Sequence, residues 1–292
     1  MNYGQLERYI GEFQSNGFVH VPGVLSADEI TTFGAAVDRA VTVRKRNDSR
    51  TFDQRSVYEQ SFIQCQFLWE DFPDVRPLTF HPRVTVLAAA LIGAERLRLW
   101  HDQALYKEAG GRETDAHQDL AYWPIAEDSI LTVWIPFEGA NERSGCMGYY
   151  AGSHRGDCVF IDMFNSPGAG EMLQRKFADR KPVYVPCASG DVIFHHGRTA
   201  HLAMPNRSER TRRVYTAIYF KDGSTRGGGF VRNHPCVDRD QIALGQRIDG
   251  AATPIAWPLP DGRLPEPAPW PQAKDERNRM LRRIGAYPGD SD

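Results

Sequence analysis

The feature that most restricts the fold of this chain is the stretch from Arg96 to Asp222, where short β-prone segments alternate with clusters of glycine, asparagine, serine and proline. RLRLWHDQALYKE, SILTVWIPFEG, PVYVPCASGDVIFHHG and RRVYTAIYFKDG carry the β-branched and aromatic side chains that suit a pleated, half-buried surface. Short strands at this spacing point to an antiparallel sandwich or barrel. The segment from Gly156 to Lys181 interrupts the rhythm with a helical piece, EMLQRKFADR, and reads as an insertion between strands.

The flanks have a different texture. Leu6, Tyr9, Ile10 and Phe13 recur at three- and four-residue spacing, which predicts an amphipathic helix closed by Gly17. A strand FVHVPGVL follows, then a helix running towards Arg44 and opened by Ser26 with Glu29 three residues on, a capping-box pattern. KRNDSRTFDQRS reads as a loop and HPRVTVLAAALIG as an apolar helix ending at Gly93. Past Gly223 the chain is rich in proline and glycine, and its tryptophans point to a tail packed on the body. The 292 residues are then one domain, mainly β with flanking helices: a helical part over 1–95, a barrel core over 96–222 with the insertion at about 156–181, and an irregular tail over 223–292.

The formal charge of −2 gives no electrostatic footprint for nucleic acid or an anionic membrane, and no apolar run approaches membrane-spanning length. The five cysteines are scattered without a CxxC pair, so reduced thiols in a cytoplasmic protein are expected. The expected partner is a small-molecule substrate. Monomer and homodimer both stay open, since Trp257 and Trp270 suit either packing on the body or contact with a second copy.

His117-Gln118-Asp119 is the sharpest local pattern. On an extended strand residues i and i+2 point the same way, so an imidazole and a carboxylate project into one space. With one further histidine they make the facial triad of non-haem Fe(II) oxygenases, which leaves open positions for a chelating co-substrate and O2. Asp115 offers a carboxylate by a D-x-H reading, and His195, His196 and His201 compete for the third place. His201 is set apart by its C-terminal neighbours, Asn206 in a turn and Arg212 entering a new β-segment. A planar guanidinium suits the far carboxylate of an iron-bound keto-acid, because it bonds both oxygens and keeps its charge. Arg207 and Arg210 fit a solvated basic turn instead.

The string GDVIFHHGRTAHLAMPNRSERTRR resembles the distal-histidine segment of the phytanoyl-CoA dioxygenase family, in which an asparagine and a 2-oxoglutarate arginine follow the iron histidine. His201, Asn206 five residues on and Arg212 eleven residues on match that spacing, whereas His195 and His196 do not. HQDLAYWP is similar to the family's H-x-D segment, SGCMGYYAGSH to its glycine-cysteine stretch, and GFVHVPGVLSADEI to its N-terminal part. The likeness thus runs in order over most of Gly17 to Phe220.

The resemblance implies a double-stranded β-helix, the jelly-roll or cupin-like barrel. It implies a catalytic metal site of His117, Asp119 and His201 using Fe(II), 2-oxoglutarate and O2, with Arg212 binding the co-substrate and Trp134 near it. Gln103 and Tyr106, on the strand before His117, are expected at the same pocket, and Gln64 or Gln66 stands where relatives carry a polar residue reaching 2-oxoglutarate. Related halogenases lack the carboxylate ligand. Asp119 is present, so hydroxylation of an unactivated C–H, with succinate and CO2 as co-products, is the expected outcome. A zinc hydrolase or cupin-like enzyme explains the triad but leaves Arg212 without a role, and a non-catalytic barrel would be expected to have lost a ligand. The substrate pocket is expected to draw on the helical N-terminal region, the loop near Arg50 to Gln60, the Tyr122-Trp123 turn and the insertion after His154.

Overall fold

Gly17 stops the first helix, as the spacing predicts. In the computed structural model, which describes residues 3–162, 170–271 and 274–283, α1 (Tyr3–Asn16) buries Tyr9 and Phe13 and closes with a hydrogen bond from Gly17 N to the Phe13 carbonyl. Gly17 has φ +82°, and a Cβ there would come within 2.4 Å of both His154 and Thr199, so backbone and packing each require glycine. The chain enters β1 (Phe18–Val21) and then α2 (Ala27–Lys45). Its capping box forms: Glu29 N donates to Ser26 Oγ, and Ser26 N donates to the Glu29 carboxylate.

Ten more strands follow among the described residues: β2 (Ile63–Gln66), β3 (Leu97–Lys107), β4 (Thr114–His117), β5 (Ile130–Pro136), β6 (Met147–Tyr149), β7 (Val183–Val185), β8 (Val192–His196), β9 (His201–Ala203), β10 (Arg212–Lys221) and β11 (Ile255–Trp257). They make two antiparallel sheets. The larger has the order β1-β8-β5-β10-β3-β11, with β2 also paired to β3; the smaller runs β4-β9-β6-β7. This is the jelly roll of two antiparallel sheets that the resemblance implies, and among the described residues no strand ladder joins the two. The strands of the smaller sheet span only three or four residues, too short to carry hydrogen bonding round both edges.

Period-two alternation sorts the large sheet into two faces. Leu131, Val133 and Ile135 of β5, Val192 and Phe194 of β8, and Tyr215, Ala217 and Tyr219 of β10 pack with residues of α1, α2 and the helix Pro82–Leu91 in the main core. Their alternates Trp134, Ile193 and Val214 pack with Met147, Tyr149 and Ala203 of the small sheet. β3 changes phase along its length. His101 pairs with Ile218 but Leu99 with Tyr219, so Trp100 bulges. Leu97 and Leu99 stay in the helix-side core, while Trp100 and His101 both turn to the other face.

The tail folds back on that other face, where Cys236, Val237, Ile242 and Ile248 pack with Trp100 and Phe220. In the insertion, the helix Gly170–Lys176 is shorter than expected and buries Leu173 beside Ala116; residues 163–169 lie outside the described residues. All five cysteines are free thiols. Among the described residues no helix is long and apolar enough to cross a membrane.

Candidate metal and co-substrate site

His117 is the last residue of β4, and Asp119 already begins a 3-10 turn. Gln118 between them is extended (φ −128°, ψ 121°), so both flanking side chains emerge on one side as the i, i+2 rule requires. β4 pairs with β9 in the register that sets His117 opposite His201, with ring centroids 4.1 Å apart. The candidate ligand atoms of His117, Asp119 and His201 all lie within 4.8 Å of one another. Asp119 Oδ1 is 3.5 Å from His117 Nε2 and 3.6 Å from His201 Nε2.

The surroundings fix which atom of each side chain faces the cluster. His117 Nδ1 lies 2.8 Å from the Asp115 carbonyl and His201 Nδ1 2.9 Å from the Thr199 carbonyl. A carbonyl only accepts, so each Nδ1 carries the proton and each Nε2 presents a lone pair. Asp115 thus enters through its main chain. Asp119 Oδ2 accepts from Thr132 Oγ1 at 2.6 Å and lies 3.1 Å from His195 Nε2, which leaves Oδ1 turned to the imidazoles. Burial would push the Asp119 carboxyl up, but His201 with His117 and His195 holds it well below the usual carboxylate range. Burial, then the neighbouring His117, pushes His201 well below the ordinary histidine value. A carboxylate and neutral imidazoles are the protonation states a divalent metal binds.

At the other end of the same cavity β10 contributes Arg212, 4% exposed. One guanidinium nitrogen donates to the Gly145 carbonyl, and the group lies 5.4 Å from the Trp134 ring. Gly145 has φ +90°, and its Cβ would meet the Met204 carbonyl at 2.7 Å, so glycine lets that turn close on Arg212. Lys107 lies directly across the ladder, fully buried, donating to the Arg112 carbonyl and to Thr114 Oγ1. Among the described residues no carboxylate is ion-paired with either cation. Burial pushes Arg212 down to about 10 and Lys107 well below its ordinary value. Thr216 Oγ1, four residues along the Arg212 face, is buried and has no partner. An uncompensated buried guanidinium on the wall of this cavity fits a ligand carboxylate.

Of the other expected residues, Gln103 and Trp134 line this cavity. Tyr106 does not. It is an odd number of residues from Gln103, so it faces the helices, where its hydroxyl donates to Asp38 Oδ1 at 2.5 Å. Gln64 and Gln66 both line the cavity, bonded to Gln103 rather than standing as alternatives. Sequence reasoning missed His195 as the partner of Asp119, and missed Lys107, whose place in phase with Gln103 and Leu105 on a strand was an available signal. It also missed His101 and His234. Nothing in the proline- and glycine-rich tail marks His234 as a cavity residue.

The profile of the family described as Phytanoyl-CoA dioxygenase (PhyH) matches residues 13–214. A probable alpha-ketoglutarate-dependent hypophosphite dioxygenase of Stutzerimonas stutzeri is 26% identical over 71% of this chain and 76% of its own length. Phytanoyl-CoA dioxygenase domain-containing protein 1 of Bos taurus is 25% identical over 70% of this chain and 86% of its own. Among solved structures, the non-heme alpha-ketoglutarate-dependent carbocyclase SnoK from nogalamycin biosynthesis superposes with TM-score 0.71 at 27% identity, covering 85% of this chain and 95% of that one. The epimerase SnoN in complex with Fe3+, alpha-ketoglutarate and nogalamycin RO gives 0.73 at 26% identity, covering 87% and 100%.

Proposed function

The chain belongs to the phytanoyl-CoA dioxygenase family and is an iron- and 2-oxoglutarate-dependent dioxygenase, and on that premise we propose which of its residues carry the reaction. His117 Nε2, Asp119 Oδ1 and His201 Nε2 hold the Fe(II). Arg212 holds the free carboxylate of 2-oxoglutarate, with Trp134 walling the space between. Iron bound there with 2-oxoglutarate and O2 supplies an oxidant able to hydroxylate an unactivated C–H of a small molecule, with succinate and CO2 as co-products.

The chain's own contribution is positioning and exclusion of water. Thr132 and His195 hold Asp119 Oδ2, so its other oxygen stays aimed between the two imidazoles. Tyr122 and Trp123 close one side of the cavity, and the Tyr122 hydroxyl is tied to the Ile161 carbonyl at 2.7 Å. The five unpaired thiols support a reducing compartment, the cytoplasm.

The observation that carries the reading is a buried arginine paired with no carboxylate among the described residues, sharing one cavity with a His/Asp/His cluster. The test is anaerobic addition of Fe(II) and 2-oxoglutarate to the metal-free protein, watching for the weak visible charge-transfer band of the chelate. The band should form in the wild type, vanish in His117→Ala and His201→Ala, and need at least tenfold more 2-oxoglutarate in Arg212→Ala. No band under any condition would overturn the assignment.

A further inference from the structure

Beyond the metal and Arg212, the cavity wall carries an organised set of neutral polar groups. Tyr58 OH donates to Gln64 Oε1 at 2.7 Å. Gln64 Nε2 and Gln66 Nε2 both donate to Gln103 Oε1, at 2.5 and 3.3 Å. Gln66 is 4% exposed, and its Oε1 is buried without a partner. Gln103 spends its carbonyl oxygen on the other two amides, so its Nε2 is the atom left for a ligand. Turning all three amides over exchanges the roles but preserves the outcome: one donor and one acceptor, side by side, remain unused.

The adjoining wall is flat and aromatic. His101 and His234 stack at 5.5 Å with 19° between their planes, and His234 in turn stacks on Trp100 at 4.6 Å. Trp123 stands edge-on to His101 at 6.2 Å. Burial pushes His101 down to about 4, and burial with the neighbouring His101 holds His234 well below its ordinary value, so both rings are neutral at physiological pH. Apart from imidazoles, the charged side chains on the described wall are Asp119 and Arg212, and both are already assigned. A carboxylate or phosphate on the substrate would lose its hydration here and gain no counter-charge.

We propose that this wall selects an uncharged, ring-containing substrate whose hydroxyl or carbonyl group is bound by Gln66 and Gln103. The ring lies against His101 and Trp123, and the polar group meets the unused donor and acceptor. The inference rests on the dioxygenase reading of the same cavity, since it takes Arg212 and Asp119 as occupied by co-substrate and metal. Buried amides left unpaired by an apolar analogue give strong discrimination, which a merely greasy pocket does not.

The probes are 2-naphthalenemethanol, 2-naphthoate and 2-methylnaphthalene, titrated calorimetrically into protein loaded anaerobically with Fe(II) and 2-oxoglutarate, with the charge-transfer band recorded on each sample. The alcohol is expected to bind at least tenfold more tightly than either the carboxylate or the hydrocarbon. Gln66→Met and Gln103→Met, close in volume to the native residue, should each erase its advantage over 2-methylnaphthalene. Carboxylate binding as tight as the alcohol, no binding of the alcohol, or an advantage surviving in both folded variants would overturn the proposal. The wild-type comparison needs no variant to fold. If the band is absent while the alcohol keeps its preference, the co-substrate assignment fails and the neutral wall stands; if the band forms and the preference is missing, the reverse holds.

Discussion

Two buried arginines in this molecule each lie over a tryptophan, and they differ in one respect. Arg239 is 4.0 Å from the Trp270 ring and Arg212 5.4 Å from the Trp134 ring. Arg239 reaches Glu70 at 2.8 Å, both side chains being 1% exposed, and Trp270 Nε1 donates to the second oxygen of that carboxylate. Arg212 has a main-chain carbonyl and a ring, and no acid among the described residues. The first arrangement is complete in itself and pins the tail to the body. The second is half an ion pair. A lone buried lysine can shed its proton, and burial pushes Lys107 in that direction, but a guanidinium stays charged. Arg212 therefore stores a desolvation cost that a ligand carboxylate would relieve.

Cutting the complete pair should have the largest effect. Arg239→Ala leaves Glu70 buried beside Trp270 without its counter-charge, at a cost of roughly 3–5 kcal/mol in denaturant-induced unfolding. A loss under about 1 kcal/mol would mean that the clamp holds nothing, and the contrast with Arg212 would lose its structural side. Arg212→Ala should do the opposite. It removes an unpaired charge, so stability without ligand should hold or rise slightly, while 2-oxoglutarate binding weakens by roughly tenfold to a hundredfold. Unfolding measured with and without 2-oxoglutarate at about a hundred times its Kd sharpens the point. The wild type should gain close to 3 kcal/mol, and the variant should lose most of that gain.

The same contrast explains what the sequence discloses. His117, Asp119, His201 and Arg212 are legible because a motif carries them: fixed spacing on strands, where direction follows from parity. Parity also shows that Gln103 and Tyr106 cannot share a face, three residues apart with no bulge between them. The bulge at Trp100, by contrast, is set by pairing with β10 and leaves no mark in β3 itself. That is why His101 escaped notice as a wall residue. Trp270 was legible as a packing residue but not its partner, since Glu70 lies two hundred residues away and no local pattern links the two. The two sheets were visible strand by strand. The order of strands within each sheet was not, because pairing is set by contacts between segments far apart in the chain and leaves no local pattern.

A third buried charge-bearing group shows the remaining way out of the same difficulty. Asp102, on the helix face of β3, is fully buried; its Oδ2 accepts from Trp69 N and Tyr215 OH, both at 2.9 Å, and its Oδ1 has no partner. Burial pushes its carboxyl up to about 7, so unlike Arg212 it can escape an unpaired charge by keeping its proton. A folded-state pKa above the unfolded one adds stability that is full below the unfolded value and lost as pH rises through the folded one. Asp102 should therefore destabilise the fold progressively from about pH 4 to about pH 7, by at most about 1.4 kcal/mol per pH unit. His101, held near 4, works in the other direction over the same range, so the informative quantity is a difference. The stability of the wild type relative to Asp102→Asn should fall between pH 5 and 6.5, since the amide keeps the shape and cannot ionise. Parallel stability curves for the two proteins would show that Asp102 carries its charge in the folded state, and that burial without a counter-charge is tolerated outside the cavity as well as in it.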